Sequence, residues 1–504
     1  MERMAHSLPL LRFNSMLDYT ALGEQEFYRV VEHLFLTTDG FALLLDGNAP
    51  WFMRRDVSKS LLCFAVNNTV PYDTADHSSS YLDLKIHLFT ASNIRAVTDY
   101  VVHRSGLIPR PKEIPDSSMF TDPSYGVYNV KISTVNQSEL LAYAETINKL
   151  EFAPAEIMLD DRWSNFNSIT GFDNTLYPDP AAMIATMHKR YRLKLRLQVY
   201  PTANPDSSAS NNYFVKWSLN GPNSGVVDFS NPKAATWFGS NIKRFRNSTG
   251  VDTFRIGGTV LAQNRFVVHD RLAQKYPNLF ITRYIETMEK LQPPRQSITD
   301  VAFKSQHLPA FVRLSNYHQT PPEESLRQLV ANALAVSVAG YSFIEPYQIG
   351  GFASQPSAEL YIRFVQATAL MPRMSFAFAP WVIGKGNDSS QVVSITKRFI
   401  ALHRAYSPTI IELAKRRVSS GEPIVRPMWY AAPDDGRTYQ LNDQFMLGEN
   451  VVVAPVLVIG QRERTVFLPP GMWVDQTGAH FSGSAVVTVK VPLDQLPFFK
   501  RVVS

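Results

Sequence analysis

The segment Leu159-Asp160-Asp161-Arg162-Trp163 sets two adjacent carboxylates beside an aromatic ring. Sugar hydroxyls need charged acceptors, and an indole face packs against the apolar face of a pyranose, so this group suits carbohydrate recognition. The competing reading is a capped loop in which Asp161 pairs with Arg162. Arg313, directly after Phe311-Val312, is a second substrate-binding candidate, set against a structural ion pair. Trp381, after Ala379-Pro380, is a third, set against simple packing. His269, His307, His318 and His403 sit at no metal-ligand spacing, so no metal is expected. Serine-hydrolase and P-loop chemistry lack their motifs, since neither G-x-S-x-G nor G-x-x-x-x-G-K occurs. Cys63, the sole cysteine, lies among Leu61, Leu62 and Phe64, which predicts a buried thiol and excludes an intrachain disulfide. No cofactor is expected.

Such candidates need strands that end at one face. Residues 20 to 105 read as short β-rich runs (Val31 to Thr37, Phe41 to Leu45, Leu61 to Val66, Leu82 to Leu88) broken by turn signals, as in a β-sandwich. Pro109 to Pro123 carries four prolines and reads as a linker. Strands then alternate with helices. Tyr125 to Ile132, Glu156 to Asp160, Leu193 to Tyr200, Thr253 to Ile256, Leu279 to Thr282, Phe311 to Leu314 and Ser342 to Ile344 read as strands. Helices are predicted from Ser138, from Asp179-Pro180, from Asn231-Pro232 and across the apolar stripe Leu326, Leu329, Val330, Ala333, Leu334. This alternation fits a (β/α)8 barrel, whose site lies at the C-terminal ends of the strands. A doubly wound sheet would use the same units, but no Gly-rich phosphate loop follows any strand. Past Gly421 the helices stop and β signals return. The fold class expected is α/β: a (β/α)8 barrel over 119–418, flanked by an N-terminal β-sandwich with linker over 1–118 and a C-terminal β-sandwich over 419–504.

The chain has 504 residues, 45% of them hydrophobic and 19% charged, which suits a folded protein with ample core. Its net charge of +6 is dispersed, so nucleic acid is not an expected partner. The N-terminus, with Glu2, Arg3 and Arg12, does not read as a signal peptide. The longest uncharged stretch, Gln328 to Ile344, falls short of the roughly 20 apolar residues that span a bilayer. Sequons at Asn67, Asn136, Asn247 and Asn387 are about what chance supplies and leave the compartment undecided.

In order and spacing, several stretches resemble glycoside hydrolase family 31 and its myogenesis-regulating glycosidase-like branch. They are Ile157-Met-Leu-Asp-Asp-Arg-Trp163, Tyr177-Pro-Asp-Pro180, Val227-Asp-Phe-Ser-Asn-Pro232, Ile349-Gly-Gly-Phe352, Gly421-Glu-Pro-Ile-Val-Arg-Pro427, Asp443-Gln-Phe-Met-Leu-Gly448 and Val453-Ala-Pro-Val456. The resemblance implies a catalytic barrel between β-sandwiches and a retaining mechanism on α-linked sugars, with membrane-tethered or luminal relatives. That mechanism needs two carboxyl groups about 5 Å apart.

In the family the nucleophile ends the fourth strand in a pattern like Phe-Lys-Phe-Asp-Ala-Gly-Glu. Here the stretch is Phe254-Arg255-Ile256-Gly257-Gly258-Thr259-Val260, so Gly257 takes the nucleophile's place and Val260 that of the following acid. Asp252 lies five residues upstream, about 16 Å away along a strand, at the opposite end of the barrel. The acid/base position falls at Asn316 or His318, and only an imidazole titrates near neutrality. A third acid is replaced by Tyr347 or Gln348, and a Leu-Trp-Val-His-Pro pattern by Leu197-Gln-Val-Tyr-Pro201. The resemblance therefore implies a hydrolysis-deficient relative, a pseudoenzyme, that keeps carbohydrate recognition through Asp160, Asp161, Trp163, Arg313 and Trp381. The alternative is an active O-glycosyl hydrolase using Asp161 or Glu345. With acids lost around Arg255 and Arg313, a small anionic ligand competes with a neutral sugar.

Overall fold

A computed structural model describes residues 11–12, 32–45, 51–56, 61–66, 85–127, 135–160, 163–164, 171–203, 212–216, 223–258, 278–314, 321–351 and 355–502. Six N-terminal strands, β1 (Leu11–Arg12), β2 (Leu34–Leu36), β3 (Phe41–Leu45), β4 (Trp51–Asp56), β5 (Leu61–Val66) and β6 (Ile86–Thr90), form two antiparallel sheets of order β1-β4-β5 and β2-β3-β6. The two sheets meet through Phe35, Leu43 and Leu45 on one side and Phe64 and Val66 on the other. Cys63 departs from expectation. Strand alternation turns Phe64 and Val66 toward the facing sheet and leaves the Cys63 thiol exposed.

The helix Ile94–Thr98, capped by the Asn93 side chain, continues as a wider-turned segment Asp99–Arg104. The proline-rich stretch after it is more than a spacer, because Phe120 is buried against Phe311 and Phe343 of the barrel.

Eight parallel strands follow: β7 (Ser124–Gly126), β8 (Ala155–Leu159), β9 (Leu193–Val199), β12 (Thr253–Ile256), β13 (Ile298–Thr299), β14 (Phe311–Arg313), β15 (Ile344–Glu345) and β16 (Ser375–Phe376). Their order is β15-β14-β13-β12-β9-β8-β7-β16, and a bridge between Ile349 and Phe376 nearly closes the ring. A hairpin, β10 (Phe214–Lys216) and β11 (Asn223–Val227), stands beyond β9. The helix starts read from sequence hold their caps: Asp179 accepts from the Ala182 amide and Asn231 from the Lys233 amide, each followed by proline.

One expected strand is a helix. Leu279 to Thr282 belongs to Asn278–Leu291, whose Phe280, Ile281, Tyr284, Ile285 and Met288 are buried at helical spacing. The fifth barrel strand is β13 instead, beyond the Pro293-Pro294 stop. No helix joins β13 to β14. There the N-terminal region docks, with one Glu32 oxygen accepting from the Lys304 amide and the Tyr341 hydroxyl, both at 2.7 Å.

After the long helix Asn387–Ser420 comes the C-terminal domain. Its strands are β17 (Val425–Arg426), β18 (Phe445–Leu447), β19 (Val451–Val453), β20 (Glu463–Leu468), β21 (Met472–Val474), β22 (His480–Ser482), β23 (Ala485–Lys490) and β24 (Phe498–Arg501). A six-stranded sheet, β17-β18-β19-β24-β21-β22, packs on the β20-β23 pair around Trp473, Phe499, Phe467 and Val466. The protein is thus a (β/α)8 barrel flanked by β-sandwiches.

Candidate functional site

In a barrel, alternate residues of each strand face the interior. In β8 and β9 the inward set is Glu156, Met158, Asp160 and Arg196, Gln198, Tyr200, while Ile157, Leu159, Leu195 and Leu197 are buried in the apolar core between strands and helices. The interior is therefore polar.

A continuous chain of ion pairs fills it. Glu156 accepts from Arg196 at 2.8 Å and from Arg373 at 3.0 Å. Arg373 reaches Glu345 at 2.7 Å, and Glu345 faces Arg313 at 3.5 Å. Asp300 stands 3.9 Å from Arg313 and 3.4 Å from Arg255. Arg255 ends the chain on Asp160 at 2.9 Å, near the strand ends. Four arginines meet four carboxylates, so the charges cancel. Balance is required, because an unpaired charge in this setting would cost several kcal/mol (roughly 3–5). Burial alone would raise the Glu156 carboxyl, but Arg196 and Arg373 outweigh it and hold it below the ordinary value. Burial, with repulsion from Arg255, lowers Arg313, and Asp300, Glu345 and Asp160 oppose that shift.

Gly257 sits at the top of β12, its amide donating to the Val199 carbonyl at 2.8 Å. A Cβ built on it would lie 2.9 Å from Tyr200 Cε1 and 3.0 Å from Gln198 Nε2. Those side chains are held in place. Gln198 donates to the Tyr200 hydroxyl and accepts from Arg255. A side chain at Gly257 would therefore press on Tyr200 and Gln198 from its first carbon.

The other candidates fare differently. Trp163 is core, stacked on Phe245 with Phe172 at its edge, its Nε1 donating to the Gln198 carbonyl at 2.8 Å. It offers no open ring face. Trp381 is half-buried against Tyr143 and Phe152. Arg313 is a structural ion pair, 3% exposed, and Glu345 is fully buried. Asp160 keeps part of its side chain in solvent. Asp161, Asn316 and His318 lie outside the described residues. Asp252 is at the far end of the barrel, as the strand arithmetic requires, holding the Leu195 amide and facing His188, each at 2.8 Å. Gln348 donates to Ser375 at 3.2 Å and Tyr347 bonds Asn332. Among the described residues, Asp160, Asp300 and Glu345 pair with Arg255 and Arg313 and offset their charge. Sequence reading missed Glu156, Arg196, Asp300 and Arg373. The alternating charges of Leu193-Lys194-Leu195-Arg196-Leu197-Gln198 were the available signal, since barrel interiors also generate that pattern.

No helix among the described residues is long and apolar enough to cross a membrane.

Comparison with known proteins agrees with the barrel and its flank. The sequence profile of the glycosyl hydrolases family 31 TIM-barrel domain matches residues 117–413, and that of the family's C-terminal domain matches 421–502. The chain is 27% identical to a myogenesis-regulating glycosidase of Mus musculus over 95% of this chain and 69% of that protein, which supports that branch. It is 28% identical to a SITS-binding protein of Tetronarce californica over 57% of this chain and 41% of that one. It is 29% identical to an alpha-xylosidase of Emericella nidulans over 58% and 39%. The chain thus spans between 39% and 69% of the length of these relatives. Among solved structures, the cycloalternan-degrading enzyme from Trueperella pyogenes superposes with a TM-score of 0.79 at 18% identity, covering 96% of this chain and 75% of that one. The Flavobacterium johnsoniae dextranase complexed with glucose gives 0.75 at 18% identity, covering 94% and 60%. With a barrel profile matched over more than half its length and the C-terminal profile directly after it, this chain belongs to glycosyl hydrolase family 31.

Proposed function

We propose that this family 31 member recognises carbohydrate without hydrolysing it. The observation that supports the reading is Gly257: the residue that the family resemblance aligns with the nucleophile is a glycine, and a Cβ built there would press on Tyr200 and Gln198. A retaining mechanism requires an attacking carboxylate and a proton donor about 5 Å apart. Neither Asn316 nor His318, at the donor's position, is a carboxylic acid. The recruited-acid alternative loses support at Glu345, which is fully buried between Arg313 and Arg373.

Asp160 and Asp161 are the residues we assign to sugar contact, with Trp163, Arg313 and Trp381 acting behind them as packing and ion-pair supports. Because the interior charges cancel, the ligand is a neutral sugar rather than an anion. The dextranase compared above is complexed with glucose, and the cycloalternan-degrading enzyme also superposes as a complex with isomaltose. A few charge-assisted hydrogen bonds support a Kd of about 1 mM, near 4 kcal/mol. NMR titration with glucose, isomaltose and glucuronate tests this. Saturable binding of a neutral sugar, weakened by Asp161→Ala, is expected. Absence of binding at tens of millimolar, or preference for glucuronate, would overturn it.

A further inference from the structure

Against β13 and β14, the pair of barrel strands that no helix joins, Pro111, Gln306, Tyr341 and Arg417 close over a small cavity. About 10 Å³ of it is open to the centre of a water-sized sphere, which is room for one water molecule and not for a sugar.

Three residues that line the cavity each keep one buried polar atom with no hydrogen-bond partner among the described residues: Arg417 its Nε, Gln306 its Oε1 and Ser342 its Oγ. These residues are 1%, 4% and 3% exposed. Native interiors leave few such atoms unmet, and ordered solvent is a usual partner. The rest of each group is engaged, which fixes the chemistry left over. Arg417 donates through Nη2 to the Gly340 carbonyl at 2.7 Å and through Nη1 to the Gly421 carbonyl at 2.5 Å, while its Nε–H is unused. Gln306 gives its amide nitrogen to the Ala339 carbonyl at 3.2 Å and to the Glu32 carboxylate, which orients the amide with Oε1 as the unused acceptor. The Ser342 hydroxyl can donate or accept.

A donor, an acceptor and a hydroxyl around one small space suit a single species. A chloride ion would be opposed by the Gln306 oxygen, and a metal cation by the Arg417 guanidinium. Arg417 needs no anion, because it lies in the last turn of the helix Asn387–Ser420, where the carbonyl ends favour positive charge. We propose that this cavity is a binding site for one internal water, which accepts from Arg417 Nε, donates to Gln306 Oε1 and shares a bond with the Ser342 hydroxyl. The water completes a path from Glu32 of the N-terminal region through Gln306 to Arg417 and on to the Gly421 carbonyl, where the C-terminal domain begins. It thereby links all three domains at the place where the barrel lacks a helix.

A crystal structure of the whole chain, at a resolution that shows ordered solvent, tests the site. One water within about 3.2 Å of Arg417 Nε, Gln306 Oε1 and Ser342 Oγ is expected. Lack of density there would overturn the proposal. So would an anomalous peak at that point in crystals grown with bromide, because the occupant would then be an anion. Two variants give a second reading in solution. Ser342→Ala leaves the water its other two partners, whereas Ser342→Val puts methyl groups in its place and strands Arg417 Nε and Gln306 Oε1. Ser342→Val should therefore melt below Ser342→Ala. A dry void would give the reverse order, since the added methyl groups would fill it, and that order would contradict the assignment.

Discussion

Gly257 and Tyr200 compete for one volume at the mouth of the barrel: a methyl group on the glycine would stand 2.9 Å from Cε1 of the tyrosine ring. Gly257→Asp is therefore expected to destabilise the fold by about 1–3 kcal/mol, the usual cost of overpacking. Tyr200→Ala in the same chain should relieve most of that cost. A double-mutant cycle in urea checks the coupling, and additive effects of the two substitutions would show that they do not meet.

Neither variant should gain hydrolysis. A carboxylate at position 257 still lacks a proton donor at Asn316 or His318, and residues that act as a unit are grossly non-additive. The check is an aryl α-glucoside assay on Gly257→Asp and on Gly257→Asp/Tyr200→Ala.

Glu345→Gln should cost about 3–5 kcal/mol, because Arg313 and Arg373 would be left buried without their shared counter-ion. Thermal unfolding of the purified variant measures this. A catalytic acid would give the opposite pattern, with stability kept and turnover lost.

Much of this is legible in the amino-acid sequence. Proline at the first helical turn after Asp179 and Asn231, and the Leu326 to Leu334 stripe, marked helices by local chemistry that tertiary packing does not overrule. The absence of an acid at Gly257 is a property of sequence alone. What was hidden depends on distance in space. Glu156 and Arg196 lie on β8 and β9, Asp300 follows β13 and Arg373 precedes β16, so the alternating charges around Arg196 mark an inward face without saying which partners meet there. Trp163 looked like a sugar platform because a loop aromatic and a core aromatic share one composition. The helix Asn278–Leu291 was mistaken at Leu279 to Thr282 because four apolar-rich residues are too few to separate periods of 2 and 3.6.

The N-terminal contact should respond to pH. Burial pushes the Glu32 carboxyl up to about 7, against bonds from Tyr341 and the Lys304 amide that lower it. A raised folded value means that protonation favours the docked state. Its contribution is full below about pH 4.5, the unfolded value, and is lost as pH rises to about 7. The loss amounts to at most about 3 kcal/mol. Burial lowers His103 to about 3 and His403 to about 4, which gives the opposite trend as pH falls below 6.5. Glu32→Gln isolates the first effect, since its amide oxygen can still accept both bonds. Stability of the parent minus that of the variant should decline between pH 4.5 and 7, and a flat difference would contradict the assignment.

The most direct test of the central claim is the rate at which the purified chain releases nitrophenol from nitrophenyl α-glucoside and α-galactoside. Under the proposed assignment of Gly257 to the nucleophile's position, the missing carboxylate alone removes several orders of magnitude, so the rate should equal that of buffer. Turnover that survives repeated purification and disappears on Asp161→Ala or Glu345→Gln would contradict a non-hydrolysing barrel.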